Sequence, residues 1–267
     1  MIKSKEKKLI GDQMTKITVK GLDIGVGAPK IIVPIVGKTE QELVNEAEFL
    51  TQIDFDMVEW RVDHFQNVDD VDKVKQTANK LYAIIGHKPI LFTFRTANEG
   101  GVYPASVEFY INLNKQMIKT GLIDLVDIEV FTGDQYVEEI VELAHQHNVL
   151  VIASNHDFDK TPAKDEIVAR LRKMQDLGVD IPKIAVMPRS REDVINLLAA
   201  TAEMKDKYAR KPLITMAMAG KGAISRVAGE TFGSDLTFGA AKNASAPGQL
   251  DVKELRQILN ILHRSLA

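Results

Sequence analysis

Cysteine is absent from the 267-residue chain, which excludes disulfides, thiol catalysis, Cys-ligated zinc and iron–sulfur clusters. Neither sign of charge is in excess. Lys and Arg number 34 against 37 Asp and Glu, a formal net charge of −3, so no global basic field argues for nucleic acid or an anionic membrane as a partner. No run approaches the roughly 18 apolar residues a membrane span needs. The N-terminal MIKSKEKKLIGDQMTK is basic with no apolar stretch behind it, which is not a secretory signal pattern. A soluble cytoplasmic protein is expected. The glycine-rich turn of a dinucleotide-binding sheet is also missing, because Gly37 is followed by KTE and no G-x-G-x-x-G occurs there.

What is present is ordinary globular composition, 45% hydrophobic and 27% charged. Short apolar runs alternate with longer amphipathic ones. The strand-like runs are KIIVPIVG (30–37), DMVEWRVD (56–63), PILFTFRT (89–96), IDLVDIEVF (123–131), LVIASNHDF (150–158), IPKIAVMP (181–188), PLITMAMAG (212–220) and DLTFGAAK (235–242). Helical stretches lie between them, with Thr39, Thr161 and Ser190 as N-caps, and a last helix opens at Asp251. Near-continuous apolar strands separated by helices imply a parallel sheet covered on both faces. Eight such units in about 240 residues predict an α/β fold of the (β/α)8 TIM-barrel type. Residues 16–29 read as a β-hairpin turning at Lys20–Gly21, which in a barrel closes the bottom. Residues 1–15 are expected to be flexible, and the whole of 1–267 to form a single barrel domain.

Barrel enzymes keep their chemistry at the C-terminal strand ends, on inward-facing positions. Side chains at i and i+2 share a strand face, so Glu59, Arg61 and Asp63 fall together, as do Thr93 and Arg95, Asp127 and Glu129, Ser154 and His156, and Met216 and Met218. Lys183 is the lysine set inside a short apolar strand, IPKIAVMP. It either snorkels to solvent or serves as a buried amine nucleophile toward carbonyl carbon. Counted along its run it starts earlier than the others, so it is expected deeper in the barrel, with its stem reaching up. So many inward charges would be ruinous for a structural core, whereas paired around a polar ligand they make a site. His156, at a strand end with inward parity, is the candidate general acid/base, and the other five histidines read as surface residues. Glu99 is either a solvated partner of Arg95 or a carboxylate orienting His156. Met216 and Met218 read as cavity lining, Arg226 as a carboxylate clamp, and 243–250 as a small-residue loop able to close over a ligand.

In sequence order, EWRVD, FTFRTANEGG, SNHDF, IPKIAVMP, ITMAMAGKGAISR and SAPGQL resemble the type I 3-dehydroquinate dehydratases, Schiff-base hydro-lyases of the shikimate pathway. The likeness runs from about residue 30 to about 250. It implies that Lys183 forms the Schiff base with the C3 ketone of 3-dehydroquinate and that His156 moves the proton. It implies that Glu99 orients that histidine, and that Glu59, Arg61 and Arg95 serve as substrate-hydroxyl and supporting residues. Arg226 becomes the carboxylate clamp, Ser245 and Gln249 the closing-loop contacts, and Met216 and Met218 the apolar wall. It implies no metal, no organic cofactor and a homodimer. The chain departs from its relatives at Pro34, where they carry Ser, so one substrate hydrogen bond is expected to be missing. Lys183 must be substantially neutral to attack, which burial and nearby cations favour. Three other readings stay open: a class I aldolase acting on a sugar phosphate, a divalent-metal barrel using Glu59, Asp127, Glu129 and His156, and a barrel that only binds a carboxylated metabolite.

Overall fold

The structure, a computed structural model, describes residues 16–241 and 246–266. The expectations for residues 1–15 and for Ser245 lie outside the described residues. The described residues open with a hairpin of β1 (Ile17–Val19) and β2 (Leu22–Ile24), as the sequence predicts. Its turn places Lys20 at φ 45° and Gly21 at φ 76°, the left-handed pair a two-residue hairpin turn requires.

Every one of the eight apolar runs becomes a parallel strand: β3 (Lys30–Ile35), β4 (Met57–Arg61), β5 (Ile90–Thr93), β6 (Leu125–Glu129), β7 (Leu150–Asp157), β8 (Ile181–Val186), β9 (Ile214–Ala217) and β10 (Leu236–Ala240). Helices α1 (Glu40–Leu50), α2 (Val71–Ile85), α3 (Val107–Ile118), α4 (Asp134–Gln146), α5 (Lys164–Asp176) and α6 (Arg191–Lys207) each follow one strand. Two short helices, α7 (Ala223–Val227) and α8 (Gly229–Phe232), follow β9, and α9 (Val252–Leu266) closes the chain. A two-residue strand, β11 (Leu250–Asp251), lies beside β10 at the end of the segment read as loop. Among the described residues, no helix is long and apolar enough to cross a membrane.

Neighbouring strands from β10 through β3 to β9 are joined by continuous ladders. Where the barrel closes, between β9 and β10, the bonds are different. Asp235 N–H donates to Leu213 O at 2.8 Å, Asp235 Oδ2 accepts Leu213 N–H at 2.9 Å, and Ser234 Oγ accepts Thr215 N–H at 3.0 Å. Two side chains at this seam supplement the backbone bonding that joins the strands elsewhere.

Strand parity sorts the barrel interior into layers. The lowest is apolar: Ile32, Met57, Leu91, Leu125, Ile152, Ile181, Ile214 and Leu236 pack together, closed from below by Ile24 with Ile17, Val19 and Leu22 of the hairpin. Full burial of such side chains is worth roughly 1.5–3 kcal/mol each, so this plug anchors the barrel. Two residues further along each strand, the same inward face carries Pro34, Glu59, Thr93, Asp127, Ser154, Lys183, Met216 and Phe238. The intervening residues, such as Val33, Val58, Trp60, Phe92 and Val126, face outward into the helix layer.

Two details differ from the sequence reading. Thr161 does not cap α5: the helix begins at Lys164 after Ala163, and Thr161 Oγ1 instead donates to Met187 O at 3.1 Å, satisfying a carbonyl beyond the end of β8. Strands β4 and β6 also stop short of their apolar runs, because Val62–His64 and Val130–Thr132 turn as 3-10 helices. Thr39 and Ser190 do cap their helices, each in a reciprocal capping box with the residue three further on.

Candidate active site

The second inward layer and the strand tops enclose a cavity of about 490 Å³, counting the part open to solvent, at the C-terminal mouth of the barrel. That is the size range of small-molecule pockets. Its wall includes Lys183, His156, Glu99, Glu59, Arg61, Arg95, Met216, Met218, Arg226 and Gln249, so ten of the eleven residues singled out from the sequence come together.

Lys183 is 3% exposed. It is level with Ser154, its partner across the ladder, and with Glu59 and Asp127, and it lies one layer below His156, Arg61 and Arg95. Counting from the start of each apolar run overstated its depth relative to Glu59 and Asp127, because the runs begin at different heights. Its Nζ lies 3.4 Å from Asp127 Oδ2, 3.7 Å from Glu59 Oε1, and 4.6 Å from the Phe238 ring centroid. The groups touching the amine are therefore carboxylates, where the sequence led us to expect cations. Arg95 lies one step further away, beyond Asp127.

Arg95 is the hub beneath the site. Its Nη2 donates to Asp127 Oδ1, and Nη1 donates to Glu129 Oε1 and to Ser154 Oγ, all at 2.9 Å. Burying a guanidinium costs several kcal/mol, and hydrogen bonds that involve a charged group return roughly 1.5–3 kcal/mol each. Three such bonds offset the burial, and Asp127, Glu129 and Glu99 hold the group firmly protonated. Burial alone would raise Asp127, but Arg95 and Lys183 outweigh it and hold the carboxyl below its usual range. Asp127 and Glu129, two of the groups in the divalent-metal reading, are thereby committed to protein cations.

Arg226 is the opposite case. It is 1% exposed, yet among the described residues no carboxylate pairs with it. Nη2 donates to Pro247 O at 3.2 Å, Nη1 faces Met216 Sδ at 3.6 Å, and among the described residues Nε has no partner. Burial without a counter-charge pushes its pKa down to about 10. A buried cation with a spare donor, on the wall of a cavity, suits an anion. Pro247 O also accepts Ala219 N–H at 3.0 Å, which ties residues 246–249 over the mouth.

At the rim, Glu99 Oε2 accepts the His156 backbone N–H at 2.9 Å and sits 2.9 Å from Nδ1 of the same histidine. Burial pushes Glu99 up to about 8, against the pull of Arg95. Burial, then Arg95, Lys183 and Arg61, push His156 well below its usual value, so the imidazole is neutral at pH 7. Arg61 grips Asp63 through Nε at 2.8 Å and Nη2 at 2.9 Å. His64, read from the sequence as a surface residue, lies 3.4 Å from Arg61 Nη2 and is only partly exposed. It sits there because the 3-10 turn after β4 folds it back onto the arginine.

Sequence reasoning missed Phe238 and Phe158. Phe238 was legible by parity, two residues beyond Leu236. Phe158 packs on Gly100, which has φ 84° and would place a Cβ 2.4 Å from the ring, a contact no local pattern announces. Pro34 faces the site layer opposite Glu59 in register.

A sequence profile described as type I 3-dehydroquinase matches residues 31–266. The chain is 56% identical over 252 residues to a 3-dehydroquinate dehydratase of Salmonella agona, covering 94% of this chain and all of that one. It is 57% identical over 251 residues to one from Listeria innocua, covering 94% and 99%. Among solved structures, the type I 3-dehydroquinate dehydratase of Clostridium difficile, determined with covalently modified comenic acid, superposes with a TM-score of 0.92 at 52% identity, covering 94% and 99% of the two chains.

Proposed function

The chain belongs to the type I 3-dehydroquinase family, and on that premise we propose how this hydro-lyase converts 3-dehydroquinate to 3-dehydroshikimate. The amine of Lys183 adds to the C3 ketone and expels water, leaving an iminium. His156 Nε2 removes a proton from C2, and the electron pair flows into the iminium as an enamine. The enamine expels the C1 hydroxyl, which takes the proton from His156 and departs as water. Hydrolysis of the imine releases the product and regenerates the amine. The net change is the loss of one water.

The observation that carries this reading is a buried lysine and a neutral histidine on one cavity wall, with His156 Nδ1 on a carboxylate. An ionised Glu99 accepts Nδ1–H and leaves the Nε2 lone pair free, the tautomer a general base needs. The iminium makes proton loss beside the carbonyl feasible by acting as an electron sink. Arg226 takes the substrate carboxylate in bidentate fashion, a contact that supplies both charge and orientation. Met216 and Met218 form the apolar wall. Arg61, Glu59 and Gln249 meet the hydroxyls, joined by Ser245, while Arg95 supports the carboxylates beneath. The missing hydroxyl at Pro34 removes one contact and no chemical step.

Reduction of the protein with borohydride in the presence of 3-dehydroquinate tests the reading. A stable adduct mapping to Lys183 is the expected result. Full dehydratase activity with no adduct on any lysine would sink the covalent route. A cytoplasmic homodimer belongs to the same reading on family likeness, and light scattering should give about twice the 29.7 kDa chain mass; a monomer at enzymatic concentration would remove that part.

A further inference from the structure

Asn155 directly precedes His156 on β7, so its side chain leaves the opposite face of the strand. It is 4% exposed, and its amide bridges two charged groups. Arg170 Nη1, from α5, donates to Oδ1 at 2.7 Å, and Nδ2 donates to Glu99 Oε1 at 3.2 Å. A guanidinium has donors only and an ionised carboxylate accepts only. With these two neighbours the amide has one orientation: oxygen to Arg170, N–H to Glu99. Arg170 is itself held from several sides. Its Nη2 bonds Glu166, Asp157 lies 3.9 Å from Nη1, and the guanidinium stacks 5.4 Å from the Phe131 ring centroid. Neither Asn155 nor Arg170 is part of the cavity wall.

We propose that Arg170 is a positioning residue for the acid–base pair, acting through Asn155 to keep Glu99 an acceptor and so to fix the working tautomer of His156. The inference rests on the reading of Glu99 and His156 given above. Without Arg170 the amide is free to turn its oxygen toward Glu99. In that orientation it accepts a proton from a neutral Glu99 carboxyl, which favours the protonated acid. The single carboxyl proton then sits on Oε1, Oε2 is left as a neutral and weaker acceptor for His156 Nδ1–H, and the charge that fixes the tautomer and strengthens Nε2 as a base is lost. The defect falls on the chemical step and spares substrate affinity, since neither residue lines the cavity.

The direction with pH follows from the groups that face the pair. Glu99 faces Arg95 at 3.6 Å and Glu129, with Asn155 and His156 on β7, while His156 also feels Lys183 and Arg61. Burial sets Glu99 near 8, and the Asn155 amide is among the groups that pull it down. Ionisation of Glu99 switches the base on, so kcat/KM of the native enzyme should climb through a limb near pH 8 and level off above it. Losing the Asn155 bond moves that limb upward.

The test compares pH profiles of kcat and kcat/KM for native enzyme, Arg170→Met, Arg170→Lys and Glu99→Gln. Arg170→Met should lower kcat roughly 3- to 10-fold and raise the limb by about half to one pH unit, the scale of one hydrogen bond. KM should stay within about twofold in the same variant, since no substrate contact is lost. Arg170→Lys, which keeps a donor and the charge, should recover most of the loss. If Arg170→Met does not fold, Asn155→Asp, with no N–H facing Glu99, carries the same expectation. A native profile in either variant, or a raised KM with native kcat, overturns the proposal. Glu99→Gln separates the two levels: it should abolish the limb, and a limb that survives there would overturn the acid–base reading and this inference with it.

Discussion

Lys183→Ala will yield no borohydride-reducible adduct, and turnover will fall on the order of 10⁶-fold, the scale set by removing a covalent catalyst from an enzyme. Among the described residues the amine is the one group in the wall able to form an imine, and without it proton loss from C2 has no electron sink. Binding should survive weakly, because Arg226, Arg61 and the apolar wall remain. The change also strips a cation from beside Asp127 and Glu59, at 3.4 and 3.7 Å. Breaking a buried pair costs roughly 3–5 kcal/mol when the remaining charge is left alone. Here Arg95 still holds Asp127 and Thr93 Oγ1 still donates to Glu59 at 2.9 Å, so the fold should persist. A thermal melt beside the kinetics separates loss of chemistry from loss of structure. Turnover within about tenfold of native would end the covalent assignment.

His156→Ala should have a different signature. Removing a general acid/base typically costs about 10²–10⁴-fold in rate. Imine formation does not need Nε2 at C2, so the lysine should still condense with substrate and then stall. Mass spectrometry after borohydride should therefore find more trapped adduct at steady state than in native enzyme, even as turnover falls. A variant with equally slow turnover and no trapped adduct would assign His156 to imine formation instead. A variant with near-native turnover would remove it from the proton transfer altogether.

Much of this was legible in the residues because the barrel repeats one rule. An apolar run flanked by capped helices becomes a parallel strand, and parity then separates Glu59, Asp127, Ser154 and His156 from Val58, Ile128, Ala153 and Asn155. What parity cannot give is height and partner. Lys183 seemed too deep because its run begins nearer the site layer than its neighbours' do, and only the ladder pairing with Ser154 fixes its level. Arg95 read as a group available to substrate, yet its two terminal nitrogens donate to side chains from β6 and β7. Thr161 looked like a cap because hydroxyls before helices usually are caps, and a carbonyl beyond the end of β8 claimed it first. The link from Arg170 to Glu99 was beyond reach of any local pattern, since it joins a helix, a strand and a loop across more than fifty positions of chain.

The alternation that stacks an apolar plug beneath a charged layer also makes the protein intolerant of a certain kind of genetic lesion. One residue deleted from a strand start would turn Ile184 inward and Lys183 toward the helices, or trade Asp127 for Ile128. Every amino acid named in the mechanism would still be encoded. The chemistry would nevertheless be gone, because in this architecture the reading of a side chain as core or as catalyst depends on whether its position along the strand is odd or even.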